Sequence, residues 1–120
     1  LMTYIAGFDI LYACQDIQFD RMAGLYSIPA RFGVRRALQI ARLIHMVCLG
    51  AFVSVYFAFE MNGAYLVTVA VIALLLIIEH RLVNPDDLSL INIAFFHVNS
   101  LISCTLFFGI LADEVVRRLI

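Results

Sequence analysis

The sequence predicts an all-α fold, a polytopic transmembrane helical bundle of three complete spans and one partial span. Three observations lead there. The chain of 120 residues is 64% hydrophobic with a mean hydropathy of +1.00, where a soluble domain is nearer half apolar. Its apolar runs approach or exceed the roughly 20 residues that cross a bilayer core. Short polar clusters rich in turn residues separate them.

The first segment, residues 1–19, is the partial span. Only eight residues, Leu1 to Phe8, precede its first carboxylate, so it reads as a spanning helix cut part-way through, in a fragment or at one end of a longer protein. No basic region or small-residue cleavage site marks a signal peptide. A polar connection follows over 20–36, with Gly24, Ser27, Pro29 and Gly33 as turn residues and Arg21, Arg31, Arg35 and Arg36 as charges. The second segment, 37–59, is interrupted by His45 and Ser54, and Glu60-Met61-Asn62-Gly63 turns the chain. The third, 64–83, is rich in Val, Ile and Leu, and its length selects helix over buried strand. Asn84-Pro85-Asp86-Asp87 ends it. The fourth covers 88–112, and Asp113 to Arg118 reads as a short polar tail. No repeat or linker divides the chain, so residues 1–120 form part of a single domain in a lipid bilayer.

Arg placement sets the orientation. Arg21, Arg31, Arg35 and Arg36 precede the second segment, with Arg42 just inside it, and Arg81 adjoins the Pro85 loop; the Asn62 turn has no basic residue. The Asp-rich end and the Pro85 loop are therefore expected in the cytoplasm and the Asn62 turn outside, the expected setting being a bacterial inner membrane. The net charge of −1 says nothing about nucleic acid, and without a basic run to support it no nucleic-acid partner is expected. Cys14, Cys48 and Cys104 stand singly in apolar segments and read as small buried hydrophobes.

The chemistry lies in Asp9, Asp16 and Asp20. At i+7 and i+11 of a continuous α-helix, Asp16 and Asp20 fall within roughly 20° of Asp9, one on either side, and Tyr12 flanks that face. Three stacked carboxylates repel one another near hydrocarbon, which calls for a cation, and all-oxygen ligands suit Mg²⁺. Arg21 and Arg31 lie just downstream. Carboxylates beside arginines fit a Mg²⁺-bridged diphosphate, with Arg forks on the remaining phosphate oxygens. At a membrane boundary, the matching substrate is a lipid diphosphate.

The pattern Asp9-x-x-Tyr12-Ala13-x-x-Asp16-x-x-x-Asp20-x-x-x-Gly24-x-x-Ser27-x-x-x-x-Phe32-Gly33 closely resembles the second Asp-rich motif of the UbiA-type intramembrane aromatic prenyltransferases. Glu79-His80-Arg81-Leu82-Val83-x-Pro85-Asp86-Asp87-Leu88-Ser89, then Asn92-x-Ala94-Phe95-Phe96-x-x-Asn99, resembles that family's last loop and last helix, most like the 4-hydroxybenzoate polyprenyltransferase branch. The resemblance implies the end of the sixth helix and the seventh to ninth helices of a nine-helix fold. It implies transfer of a polyprenyl group from an allylic polyprenyl diphosphate to an aromatic acid acceptor in quinone biosynthesis. Asp16 and Asp20 match metal-binding carboxylates; Asp9 and Tyr12 match residues of the reaction cavity, and so are catalytic candidates. Arg31 and Arg21 are diphosphate candidates, although Arg21, with Arg35 and Arg36, also reads as a topology determinant near headgroups. The family's first Asp-rich motif is absent, so its partners are the missing N-terminal helices, and these residues alone carry half a site.

The competing class is a transporter fragment whose carboxylates bind a coupling ion; it does not require the Tyr12, Gly24, Ser27 and Phe32-Gly33 pattern. Asp86 and Asp87 read as helix-capping residues. Ser89, Asn92, Asn99 and Ser103 form a polar stripe suited to interhelical hydrogen bonds. His45 and His97 are single histidines on different segments, and the sequence reading gives them no metal role.

Overall fold

A computed structural model of the chain describes residues 1–120 as helices without a sheet. Helix α1 is Met2–Ala13, followed by a 3₁₀ turn at Cys14–Asp16 and by α2, Ile17–Met22. The short α3 is Ile28–Phe32; α4 is Val34–Ala58; α5 is Gly63–Leu82. A π-helical stretch, Ile93–Val98, leads into α6, Asn99–Leu119. Val34–Ala58, Gly63–Leu82 and Ile93–Leu119 are long and apolar enough to cross a membrane. The molecule measures 58 × 24 × 19 Å.

Local chemistry explains the connections. Ser27 Oγ accepts the Ala30 N–H at 3.2 Å and Pro29 sits in the first turn, which starts α3. Gly33, at φ 85°, lets α3 end and α4 begin without a gap.

Two apolar clusters hold the bundle. One joins Ile10, Leu11 and Cys14 to Ala37, Leu38, Ala41, Val83, Ile91 and Ala94. The other joins Tyr4 and Phe8 to Cys48, Ile72, Leu76, Val98 and Ile102. Only 24 of 120 residues are buried, so most apolar side chains face outward, towards lipid and neighbouring helices. Cys14 and Cys48 are buried as expected, whereas Cys104 is exposed.

The sequence reading is corrected at the C-terminal end. Residues 113–118 are not a polar tail: α6 continues to Leu119, and Asp113 is completely buried. Its carboxylate accepts the Asn62 N–H at 2.9 and 3.1 Å and the Tyr65 N–H at 3.0 Å, capping α5 from another helix. Arg117 donates to the Phe59 carbonyl at 2.9 Å, just past the end of α4. A negative group at a helix start and a positive group at a helix end both interact favourably with the helix dipole. Nearby, α5 and α6 approach so closely that a Cβ at Gly109 would overlap the Thr68 side chain.

At the opposite end, Asp86 pairs with Arg35 at 2.9 and 3.1 Å instead of capping a helix. Both side chains are well exposed, so the pair links the loop to α4 with little stabilisation. Asp87 does cap a turn: it accepts the Ser89 N–H at 3.0 Å, which holds its carboxyl below the ordinary range.

Candidate functional site

The Asp-bearing helix is not continuous. The 3₁₀ turn at Cys14–Asp16 advances faster than an α-helix, about 120° per residue against 100°, which rotates Asp16 and Asp20 by about 60° relative to Asp9. The straight row expected from the spacing is therefore bent. Asp16 sits at φ −98° and ψ 12°, at the junction into α2. Asp9 and Asp16 are exposed and Asp20 is half-buried. None of the three pairs with an Arg or His, whereas the carboxylates of Asp86 and Glu114 are ion-paired and that of Asp113 is hydrogen-bonded.

Asp9 borders a cavity of about 310 Å³ with Tyr4, Phe8, Phe95, Asn99 and Ser103. Its walls are aromatic. Phe95 meets Phe8 with ring centroids 4.9 Å apart and Tyr12 at 4.1 Å. The Tyr4 hydroxyl donates to Asn99 Oδ1, an interhelical bond of the kind expected for the polar stripe. Tyr12 is therefore packed under Phe95 and does not line this cavity. Of the remaining stripe residues, Ser103 borders the cavity, while Ser89 and Asn92 are exposed in and after the loop.

Arg21 and Arg31 come together around a second cavity, of about 270 Å³, with Gly24, Leu25, Tyr26 and Ala30. Arg21 Nε donates to the Ala30 carbonyl at 2.9 Å, which anchors its guanidinium to α3. The Arg31 guanidinium lies over the Phe32 ring, 5.4 Å from the centroid. Arg35 is committed to Asp86. The local fold thus separates an aromatic cavity bordered by Asp9 from an arginine-lined cavity beyond α2, with Asp16 and Asp20 between them in sequence.

The donor set of Asp16 and Asp20 fits Mg²⁺. Both offer oxygen only, one helical turn apart, and neither is used in an ion pair. Mg²⁺ commonly takes one or two carboxylates and fills its remaining positions with water and substrate phosphate.

The sequence reading missed one cluster. His45 is not isolated. Its Nδ1 lies 2.9 Å from His80 Nε2 and 3.9 Å from Glu79 Oε2. His45 stands 17 residues before Asn62 and His80 stands 17 residues after Gly63. That mirror symmetry about the hairpin turn was the available signal, and an i+3/i+4 search cannot detect it. His97 is exposed and remains without such neighbours.

The model of the UbiA prenyltransferase family matches residues 1–101. The chain belongs to the UbiA prenyltransferase family. The apo structure of a UbiA homolog from Aeropyrum pernix K1 superposes with a TM-score of 0.80 at 29% identity, over 93% of this chain and 39% of that one. The chain therefore spans about two fifths of that solved relative's length. No curated protein matches it. Membership of a prenyltransferase family does not favour the transporter reading of the carboxylates.

Proposed function

We propose that this chain supplies the second half of the active site of a Mg²⁺-dependent prenyltransferase. The reaction moves a polyprenyl group from an allylic polyprenyl diphosphate to an aromatic acid such as 4-hydroxybenzoate, in quinone biosynthesis. The observation that carries the reading is the set of unpaired carboxylates on α1 and α2, flanked by an aromatic cavity on one side and two arginines on the other. Asp16 and Asp20 would hold Mg²⁺, which when bound neutralises diphosphate charge and stabilises the leaving group.

The chain's own residues have separate tasks. Arg21 and Arg31 present guanidinium forks to phosphate oxygens, and the Arg21 bond to Ala30 fixes one fork in advance. Tyr4, Phe8 and Phe95 exclude water and present ring faces that stabilise a developing allylic cation. Asp9, on the same cavity, orients the acceptor and takes a proton from its phenol or ring as the new carbon–carbon bond forms. Tyr12 acts as a positioning residue through Phe95. The site faces the cytoplasm of a bacterial inner membrane, and the first Asp-rich motif on preceding helices completes it.

The test uses membranes containing the intact native protein, an allylic polyprenyl diphosphate and 4-hydroxybenzoate. Asp16→Asn or Asp20→Asn is expected to lower turnover by at least about 100-fold, the scale of losing one electrostatic contact to a developing charge. Wild-type-like turnover in either variant, or full activity in EDTA, would overturn the metal assignment.

A further inference from the structure

We propose that His45, Glu79 and His80 form a second metal site, for a single divalent transition-metal ion, between α4 and α5. It is separate from the Asp-based site and rests on different residues. One donor atom from each of the three side chains lies within 4.8 Å of the others. With metal–nitrogen bonds of about 2.0–2.1 Å, nitrogens 2.9 Å apart subtend roughly 90° at a shared ion. The 3.9 Å between His45 Nδ1 and Glu79 Oε2 also lies within the span of two such bonds.

The surroundings favour this arrangement. His45 Nε2 is 3.1 Å from the Tyr4 carbonyl, which only accepts. Nε2 therefore carries the proton, and Nδ1 turns a lone pair towards His80 and Glu79. A hydrogen bond from the far ring nitrogen to a carbonyl fixes the tautomer and orientation of a ligating imidazole. Glu79 is fully buried, and neither carboxylate oxygen has a hydrogen-bond partner. A buried carboxyl group without partners inside a membrane span needs a counter-charge or a proton. Arg42 and Arg81 stand at the neighbouring cavity, yet neither forms an ion pair with Glu79.

Access and fit are also provided. His45 and His80 line a cavity of about 360 Å³ with Met46, Leu76 and the two arginines. Gly7 on α1 packs against the His45 ring, where a Cβ would come within 2.5 Å of Cδ2 and Nε2. Two imidazoles and one carboxylate select Zn²⁺, Co²⁺, Fe²⁺ or Ni²⁺ over Mg²⁺, and three protein ligands leave a position for water. The metal-free alternative is a proton network, with His80 donating to His45 and Glu79 protonated.

The experiment takes the intact native protein in detergent, stripped by a chelator and held in excess Mg²⁺ to occupy the Asp-based site. Titration with Co²⁺, followed by visible d–d absorption and by metal analysis, is expected to show a single Co²⁺ per chain that Zn²⁺ displaces. Glu79→Gln and His80→Gln should weaken binding by about tenfold or more. Gly7→Ala, which keeps every ligand but displaces the His45 ring, should weaken it too. His97→Gln should leave it unchanged. Absence of stoichiometric Co²⁺ binding by the wild type, or undiminished binding in Glu79→Gln and His80→Gln, would establish the proton network and overturn the metal site. If those two variants do not fold, the wild-type titration and Gly7→Ala decide.

Discussion

Replacing Asp113 by Ala tests whether the turn between α4 and α5 is held from α6. The carboxylate accepts from two backbone N–H groups at the start of α5, those of Asn62 and Tyr65. Tyr65 N–H keeps a second acceptor in the variant, the Asn62 carbonyl at 3.1 Å. One donor, Asn62 N–H, is left without a partner. Loss of a cap costs about 0.5–2 kcal/mol, and an orphaned buried donor about 1–3 kcal/mol. These descriptions overlap and do not add, so Asp113→Ala should destabilise by about 1–3 kcal/mol. Asp113→Asn retains an acceptor oxygen and should cost about 1–2 kcal/mol, on the scale of one charge-assisted bond exchanged for a neutral one. Arg117→Ala, at an exposed site, should cost less than about 1 kcal/mol. Equilibrium unfolding of the intact native protein in mixed micelles, followed by circular dichroism, measures all three. A cost below about 0.5 kcal/mol for Asp113→Ala, or a larger cost for Arg117→Ala than for Asp113→Ala, would refute the assignment of Asp113 as the cap of α5.

Three further outcomes are expected. Gly109→Ala should destabilise by about 1–3 kcal/mol in the same unfolding assay, because the added methyl meets the Thr68 side chain; an unchanged stability would mean that α5 and α6 pack less closely. In a background without native cysteines, Ser27→Cys should be labelled from the cytoplasm and Asn62→Cys from the other side; the reverse pattern would invert the topology. Residues 1–120 expressed alone should not catalyse prenyl transfer, and co-expression with helices carrying the first Asp-rich motif should restore it; turnover by the 120 residues alone would place the whole site within them.

Apolar length and turn chemistry were enough to read two of the four helical segments closely, whereas the last runs from Ile93 to Leu119 instead of over 88–112. Val34–Ala58 and Gly63–Leu82 begin and end within three residues of the expected limits. The errors have physical causes. Asp113 looked like tail material because charge in sequence marks exposure only when no partner is known, and its partners are backbone groups 48 and 51 positions away. The 3₁₀ turn at Cys14–Asp16 was not legible, because its residues carry no Gly or Pro and the bend is visible only in backbone angles. Candidate site residues could be named from the sequence, but their geometry could not. Asp9, Tyr12, Asp16 and Asp20 stand out by spacing, with Arg21 and Arg31 just downstream, whereas the placing of Asp9 at an aromatic cavity and of the two arginines at another depends on Phe95 arriving from the last span and on α3. The pairing of His45 with Glu79 and His80 required the register of two antiparallel helices.

The acidic residues of this chain can be sorted by two properties, burial and partnership, and each combination carries a different meaning. Asp113 is buried and partnered: its charge is spent on the donors of α5, and it serves the fold. Asp86 is exposed and paired with Arg35, an arrangement that contributes little in water. Asp9 and Asp16 are exposed without an ion pair, in a helix that otherwise packs apolar side chains. Their charges oppose insertion beside hydrocarbon, and no ion pair within the chain offsets them. Glu79 is buried and unpartnered, the costliest combination, because no solvent and no hydrogen bond offsets its desolvation. A carboxyl group is kept in such a place only if something else stabilises it, and His45 and His80 are the groups within reach. Burial and partnership thus set apart Asp9 and Asp16, proposed above for the acceptor and Mg²⁺, from Glu79, proposed for a second metal with a proton as the alternative.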